Sequence, residues 1–360
     1  MSRILQDTSL LAAGSFGDTN IYRLQGGRFR NRYFVLSHPH SRRLLASPET
    51  IGYDCCRSLL SPTIDAFSYL QLSDKEGVFD ILTILRGGLN YPLEQAAYCS
   101  GLTLSDIQFL SCERVIEDKV IKGLEIKYEK IVPTLGHTLL IGDIIATGDT
   151  MRKCLDHFMS TMHNQGGSVR RVIFFTIGGT RAIELMEEMS IRYKALFPGF
   201  EGFDCFFHEG IFTVYKDKGA SGINIPDIDF SCNGGAVAPE MRMALASEPH
   251  ALLEKCIIYD GGARRYEISI HCDEVLEYWQ AILERSALID PRALVAEKLG
   301  YGSPLAFSDW CATVHLSPSD SLRPLWEKET SCLDMASSYK LVEIATERIN
   351  TIRSIQKRYE

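Results

Sequence analysis

The chain has 360 residues, a formal net charge of −8, 45% hydrophobic and 23% charged residues, the balance of a globular protein able to bury a sizeable core and unlike that of a disordered chain. An acidic balance disfavours a protein that works by coating nucleic acid, because neutralising phosphates needs a positive surface. No apolar run approaches the roughly 20 residues that span a bilayer, and the opening stretch MSRILQDTSLLAAGSFGD is too weakly apolar for a signal peptide, so no membrane attachment and a cytoplasmic location are expected.

In chain order, residues 1–45 carry a turn at Gly26 and Gly27, a basic cluster from Arg28 to Arg32 and a strand-like YFVLS, and read as an N-terminal extension packed on the core. Ser47, Pro48 and Glu49 resemble a helix start, and Ile51, Cys55 and Leu59 follow at helical spacing, so the first core helix is expected over 47–60. VFDILTIL at 78–85 is a nearly continuous apolar run, as in a strand covered on both faces, and YPLEQAAYCSG after it reads as a helix with Pro92 in its first turn. Strands are expected at 106–115 and 124–132 around a polar connection holding Lys119 and Lys122, then a strand, a glycine-containing turn and a helix in HTLLIGDIIATGDTMRKCLDHFMSTM. RVIFFTIGG and TRAIELMEEMSIRYKAL add a further strand and helix. Beyond FDCFFHEGIFTVY the residues to about 240 look loop-dominated, and helical patterns prevail from Met241 onward.

Strands alternating with helices predict an α/β fold, an open and mostly parallel sheet with helices on both faces. The division expected is an extension at 1–45, a core at 46–240 and a mainly helical region at 241–360.

The chemistry concentrates in LLIGDIIATGDT, residues 139–150. An apolar strand delivers Asp143 near its C-terminal end, and Thr147, Gly148 and Thr150 then form a turn that opens a helix. Glycine lets the backbone approach an anion, successive amides and two hydroxyls donate, and the helix N-terminus adds partial positive charge. A carboxylate beside a bound phosphate suits sugar hydroxyls or a divalent cation. Phosphate on one side and hydroxyls on the other describe a ribose 5-phosphate pocket at the carboxyl ends of parallel strands. A second turn, Arg86-Gly87-Gly88, ends the strand at 78–85 and can present amides and a guanidinium to an anion.

The stretch 139–150 resembles the phosphoribosyl pyrophosphate signature of type I phosphoribosyltransferases: apolar residues, acidic residues, two apolar residues, a variable position, then Thr-Gly-x-Thr. The resemblance implies that Ile145 leads into a phosphate loop of Ala146, Thr147, Gly148, Asp149 and Thr150, and that Asp143 takes the ribose hydroxyls and a Mg²⁺ ion. It places Arg86, Gly87 and Gly88 on the pyrophosphate, with Leu85–Arg86 as a non-proline cis peptide and Arg86 and Asp143 in catalytic roles. It also implies a flexible loop between the two turns, with Arg114, Lys119, Lys122 and Lys127 as cations facing the leaving group, and a hood over the acceptor from residues 222–235, where Ile-Pro-Asp occurs. The bland reading of those cations is a solvated hairpin. Gly142 stands where most members carry a first acidic residue, leaving one ribose carboxylate instead of two, and Ala146 stands where hypoxanthine-guanine enzymes have an aspartate.

The reaction implied is Mg²⁺-dependent transfer of ribose 5-phosphate from phosphoribosyl pyrophosphate to a small nitrogenous acceptor, a nucleobase being the expected class, by a homodimer. The alternative is a regulatory protein of the same fold that binds the ligand without catalysis. A P-loop enzyme is excluded by the absence of G-x-x-x-x-G-K-[ST]. Most of the cysteines, without a C-x-x-C pair, read as buried thiols; His38 and His40 have the H-x-H spacing of a metal pair but read as surface or hydrogen-bonded histidines, and Asp260-Gly261-Gly262 as a turn.

Overall fold

The computed structural model describes residues 3–71, 77–117, 120–215, 218–223, 230–255 and 261–359. They build one 10-stranded sheet from β1 (Thr8–Phe16), β2 (Thr19–Gly26), β3 (Arg32–Ser37), β4 (Phe79–Leu85), β5 (Leu104–Glu117), β6 (Val120–Lys130), β7 (Leu135–Ile145), β8 (Ser168–Gly179), β9 (Phe203–Val214) and β10 (Phe230–Val237). The order is β1-β2-β3-β9-β8-β7-β4-β5-β6, with β10 also on β9. From β3 to β5 every neighbouring pair is parallel; β1, β2, β6 and β10 pair antiparallel.

The central strands read as continuous apolar runs because they are covered on both sides. Phe34 packs on Tyr69 of the helix Leu60–Tyr69, whereas Tyr33, pointing to the opposite side, donates its hydroxyl to the carbonyl of Ile183 in the helix Thr180–Leu196. Helices therefore flank both faces, as the α/β reading expects. The helix Asp149–Asn164 packs beside Thr180–Leu196.

Several boundaries differ from the sequence reading. Residues 1–45 supply β1–β3 to this same sheet, and β3 lies parallel to β9 inside it. The helix expected over 47–60 is replaced by Pro39–Ala46, Tyr53–Arg57 and Leu60–Tyr69. Gly52, with φ 63°, breaks any helix through that stretch. FSCNGGAV, read as loop, is β10: its Asn-Gly-Gly is absorbed by an irregularity between Ser231 and Ala236, with Phe230 and Val237 still paired to β9. Gly261 and Gly262 open a short helix, Gly261–Tyr266, and Asp260 lies outside the described residues.

From Pro239 onward the regular elements among the described residues are helices. The longest, Ile268–Glu284 and Leu341–Gln356, pack against each other. Ion pairs run inside this region, and Arg348 with Glu49 joins it to the rest of the chain. Arg242 holds Glu329 through Nε–Oε1 and Nη2–Oε2 contacts of 2.8 and 3.0 Å, and Arg348 binds both Glu49 and Glu254. Among the described residues no helix is long and apolar enough to cross a membrane.

Candidate functional site

Leaving β4, the chain crosses to β5 on one side and then returns to β7 on the other. The crevice outside the carboxyl ends of β4 and β7 is thus the point where strand order reverses, the usual ligand position in open α/β sheets. These two strands pair in parallel from Phe79 opposite Thr138 to Leu82 opposite Ile141, so the turns that follow them stand side by side.

After β7, Ala146 and Thr147 lead to Gly148, whose φ of 79° is left-handed and whose successor Asp149 begins a 16-residue helix. A side chain at Gly148 would meet Leu185 Cδ2 at 3.0 Å and Ile145 Cγ2 at 3.5 Å, so the turn is backed by the helix Thr180–Leu196 on its inner side. Outward, Thr147 and Asp149 are exposed and Thr150 is half-buried. The first turn of this 16-residue helix therefore lies at the surface, with no side-chain cap hydrogen bond. Asp149 takes a hydrogen bond of 3.4 Å from Arg152 one turn on.

After β4, the Leu85–Arg86 peptide is cis, the bond expected from the resemblance, and Gly87–Asn90 forms a short 3₁₀ turn. A methyl group built on Gly87 would overlap Asp143 Oδ1, and one on Gly88 would stand 3.2 Å from the Gly142 carbonyl oxygen. At Gly87 the carboxylate stands where a side chain would need to be, and at Gly88 the neighbouring backbone leaves only a tight fit. Asp143 Oδ1 also accepts from the amide of Ile144 at 2.8 Å. The two turns and the carboxylate named from the sequence thus form one constellation, with Asp143 against the Arg86-Gly87-Gly88 turn.

Tyr91 was not among the expected site residues. Its buried hydroxyl donates to the Asp143 carbonyl at 3.1 Å and accepts from the Ile177 amide at 2.9 Å, tying the 3₁₀ turn to β7 and β8. Burial pushes the phenol well above its ordinary range. A tyrosine just past a glycine turn is the only sequence signal it gave. Glu267 was also missed: both its oxygens accept from Arg86, at 2.9 and 3.0 Å.

The expected flexible loop is largely a β-hairpin. Arg114 falls in β5 and Lys122 in β6, while Lys119 lies outside the described residues. The strands run longer than read because Ile116 and Glu117 continue the pairing with Ile121 and Val120. Lys127 is exposed and bonds Glu125 on its own strand at 2.6 Å. The Ile-Pro-Asp of the expected hood, within 224–229, lies outside the described residues. His38 caps the helix Pro39–Ala46, accepting from the His40 amide.

No cluster of three or more His, Cys, Asp or Glu side chains able to hold a metal occurs among the described residues. Mg²⁺ commonly binds through one or two carboxylates together with substrate phosphate oxygens and water, and a single carboxylate, Asp143, beside an anion-binding turn is a donor set of that kind.

No family model matches the chain, and no curated protein matches it. Among solved structures it is similar to a protein from Aquifex aeolicus, with 18% identity, a TM-score of 0.34 and coverage of 49% of this chain and 85% of that one. It is similar to a hypoxanthine phosphoribosyltransferase from Staphylococcus aureus at 14% identity and TM-score 0.27, covering 36% and 66%. A third is adenine phosphoribosyltransferase from Saccharomyces cerevisiae, solved with an imino-altritol bisphosphate and adenine, at 16% identity and TM-score 0.26, covering 43% and 83%. Two of the three are phosphoribosyltransferases.

Proposed function

We propose that the chain is a phosphoribosyltransferase that moves ribose 5-phosphate from phosphoribosyl pyrophosphate to a nitrogen of a small acceptor, a nucleobase by class, with release of pyrophosphate. The observation that carries this reading is the contact between Gly87 and Asp143. It sets two anion-suited turns on either side of one carboxylate, at the switch point of a parallel sheet.

In this reading the 5′-phosphate sits on the amides and hydroxyls of Ala146–Thr150, where the helix N-terminus favours negative charge. Asp143 accepts hydrogen bonds from the ribose hydroxyls and stabilises positive charge developing on the sugar. The departing pyrophosphate is met by the amides of Gly87 and Gly88 and by the Arg86 guanidinium, whose planar fork matches phosphate oxygens. Asp143, together with substrate oxygens, would hold Mg²⁺, which would supply charge neutralisation for the leaving group. Alignment of the acceptor nitrogen with the departing bond supplies the rest, since this displacement needs no covalent help from the protein.

The sensor reading is favoured by one observation: Tyr91 fills the space beside Gly142, so the ribose meets one carboxylate. Two measurements separate the readings. Phosphoribosyl pyrophosphate with Mg²⁺ raises the melting temperature of the wild type, and Asp143→Asn or Thr147→Ala abolishes the rise; an unchanged melting curve at millimolar ligand overturns both readings. Pyrophosphate release with any member of a panel of purines, pyrimidines, orotate and amines supports the enzyme, and binding without release from any of them supports the sensor.

A further inference from the structure

The C-terminal region, which the family resemblance does not cover, grips the pyrophosphate turn from both ends. Arg265, in the helix Gly261–Tyr266, donates to the Leu89 carbonyl, and Glu267, the residue capping Ile268–Glu284, takes the Arg86 guanidinium in a two-pronged ion pair. The position of Glu267 is set from behind. The neighbouring Arg264 is buried and donates to the carbonyls of Leu44 and Ser47, and its own carbonyl accepts from the Gly52 amide at 2.7 Å. Gln356 of the terminal helix bonds Asp273 at 2.7 Å on the other flank.

The pair itself is open to solvent, with 55% of the Arg86 side chain and 36% of the Glu267 side chain exposed. A carboxylate fits a guanidinium by the same parallel donor geometry that fits two phosphate oxygens. Glu267 therefore occupies Arg86 in the manner of the leaving group assigned to it above.

We propose that Glu267 is a resident stand-in for the pyrophosphate, holding Arg86 when the site is empty and yielding it when the anion arrives, so that the helical region feels occupancy of the turn. The inference rests on the pyrophosphate role of Arg86 under the proposed function. An exposed ion pair is weak, so exchange costs little, and the incoming anion brings more charge and the Gly87 and Gly88 amides as well.

Calorimetric titration of the full chain with inorganic pyrophosphate and with phosphoribosyl pyrophosphate tests it, using the wild type, Glu267→Gln, Arg86→Gln and the double variant. Glu267→Gln tightens pyrophosphate about two- to five-fold, the range an exposed pair supports, and the gain vanishes in the Arg86→Gln background. Unchanged or weaker binding by Glu267→Gln, with a wild type that does bind, overturns the stand-in role alone. An equal gain in the Arg86→Gln background also overturns it, because Glu267 then acts only as a general negative charge. Binding of neither ligand to any folded variant overturns the phosphoribosyl reading itself, and this inference with it.

Discussion

The ring of Tyr91 occupies the space that a side chain at residue 142 would need. A Cβ built on Gly142 overlaps Tyr91 Cβ and Cγ and stands 2.9 Å from Cδ1. The missing first acid of the signature is therefore a packing consequence. The tyrosine that ties the 3₁₀ turn to β7 and β8 leaves room only for glycine, and a buried aromatic cannot move aside without losing its two hydroxyl hydrogen bonds.

Restoring the acid by Gly142→Asp is expected to destabilise the protein by about 1–3 kcal/mol or more, the usual cost of overpacking, and to impair ligand binding instead of improving it. Urea denaturation of the variant against the wild type measures this. Because the two sites touch, Tyr91→Ala should relieve part of the penalty in a double-mutant cycle. Additive effects would mean that the two side chains do not compete for space.

Tyr91→Phe keeps the ring and deletes the hydroxyl. The Ile177 amide, on an interior strand, then loses its partner, which costs about 1–3 kcal/mol. A neutral effect in chemical denaturation would show that the tyrosine works by volume alone.

Glu209 sits where β9 passes from pairing with β3 to pairing with β10, at a φ of 64°. Fully buried, it accepts from Ser37 Oγ at 2.7 Å, Ser41 Oγ at 2.5 Å and the His38 amide at 2.8 Å. Burial pushes its carboxyl up to about 7 from an ordinary 4.5, against the opposing pull of those donors and of Arg42. Between these values the unfolded chain has released a proton that the folded chain keeps. This contribution to stability is thus fully present below about pH 4.5 and is lost as pH rises to about 7, on the order of 3 kcal/mol in all. Buried His208 and His271, both lowered to about 3, drive the opposite trend as pH falls below their ordinary range. The useful quantity is accordingly the wild type minus Glu209→Gln difference, measured by denaturant titration from pH 4 to pH 8. A difference independent of pH would refute the titration of Glu209 in this window.

Glu329 collects Arg242, the Tyr301 hydroxyl at 2.8 Å and the Trp310 indole at 2.9 Å, all inside the helical region and all buried. Glu329→Ala strands the Arg242 charge without its counterion, and a loss of about 3–5 kcal/mol is expected. Thermal unfolding of the variant checks it, and a shift of less than a degree would count against the pair as a tether between Pro239–Ser247 and the helices beyond.

What the sequence determined by itself was local. An apolar run followed by Thr-Gly-Asp-Thr builds a strand, a left-handed turn and a helix N-terminus from contiguous residues, and Leu-Arg-Gly-Gly after another apolar run builds a strand and a 3₁₀ turn, so both were legible without neighbours. The parallel sheet with helices on both faces followed from the alternation of such segments. Tertiary structure alone decided which distant residues surround them. Tyr91 reaches Asp143 across 52 positions and Glu267 reaches Arg86 across 181, and neither contact leaves a periodic or compositional trace. Strand order made β4 and β7 neighbours, drew β1, β2 and β3 of the N-terminal region into the sheet and paired FSCNGGAV with β9. Those pairings depend on the register and burial of partners far along the chain, where local propensity is silent.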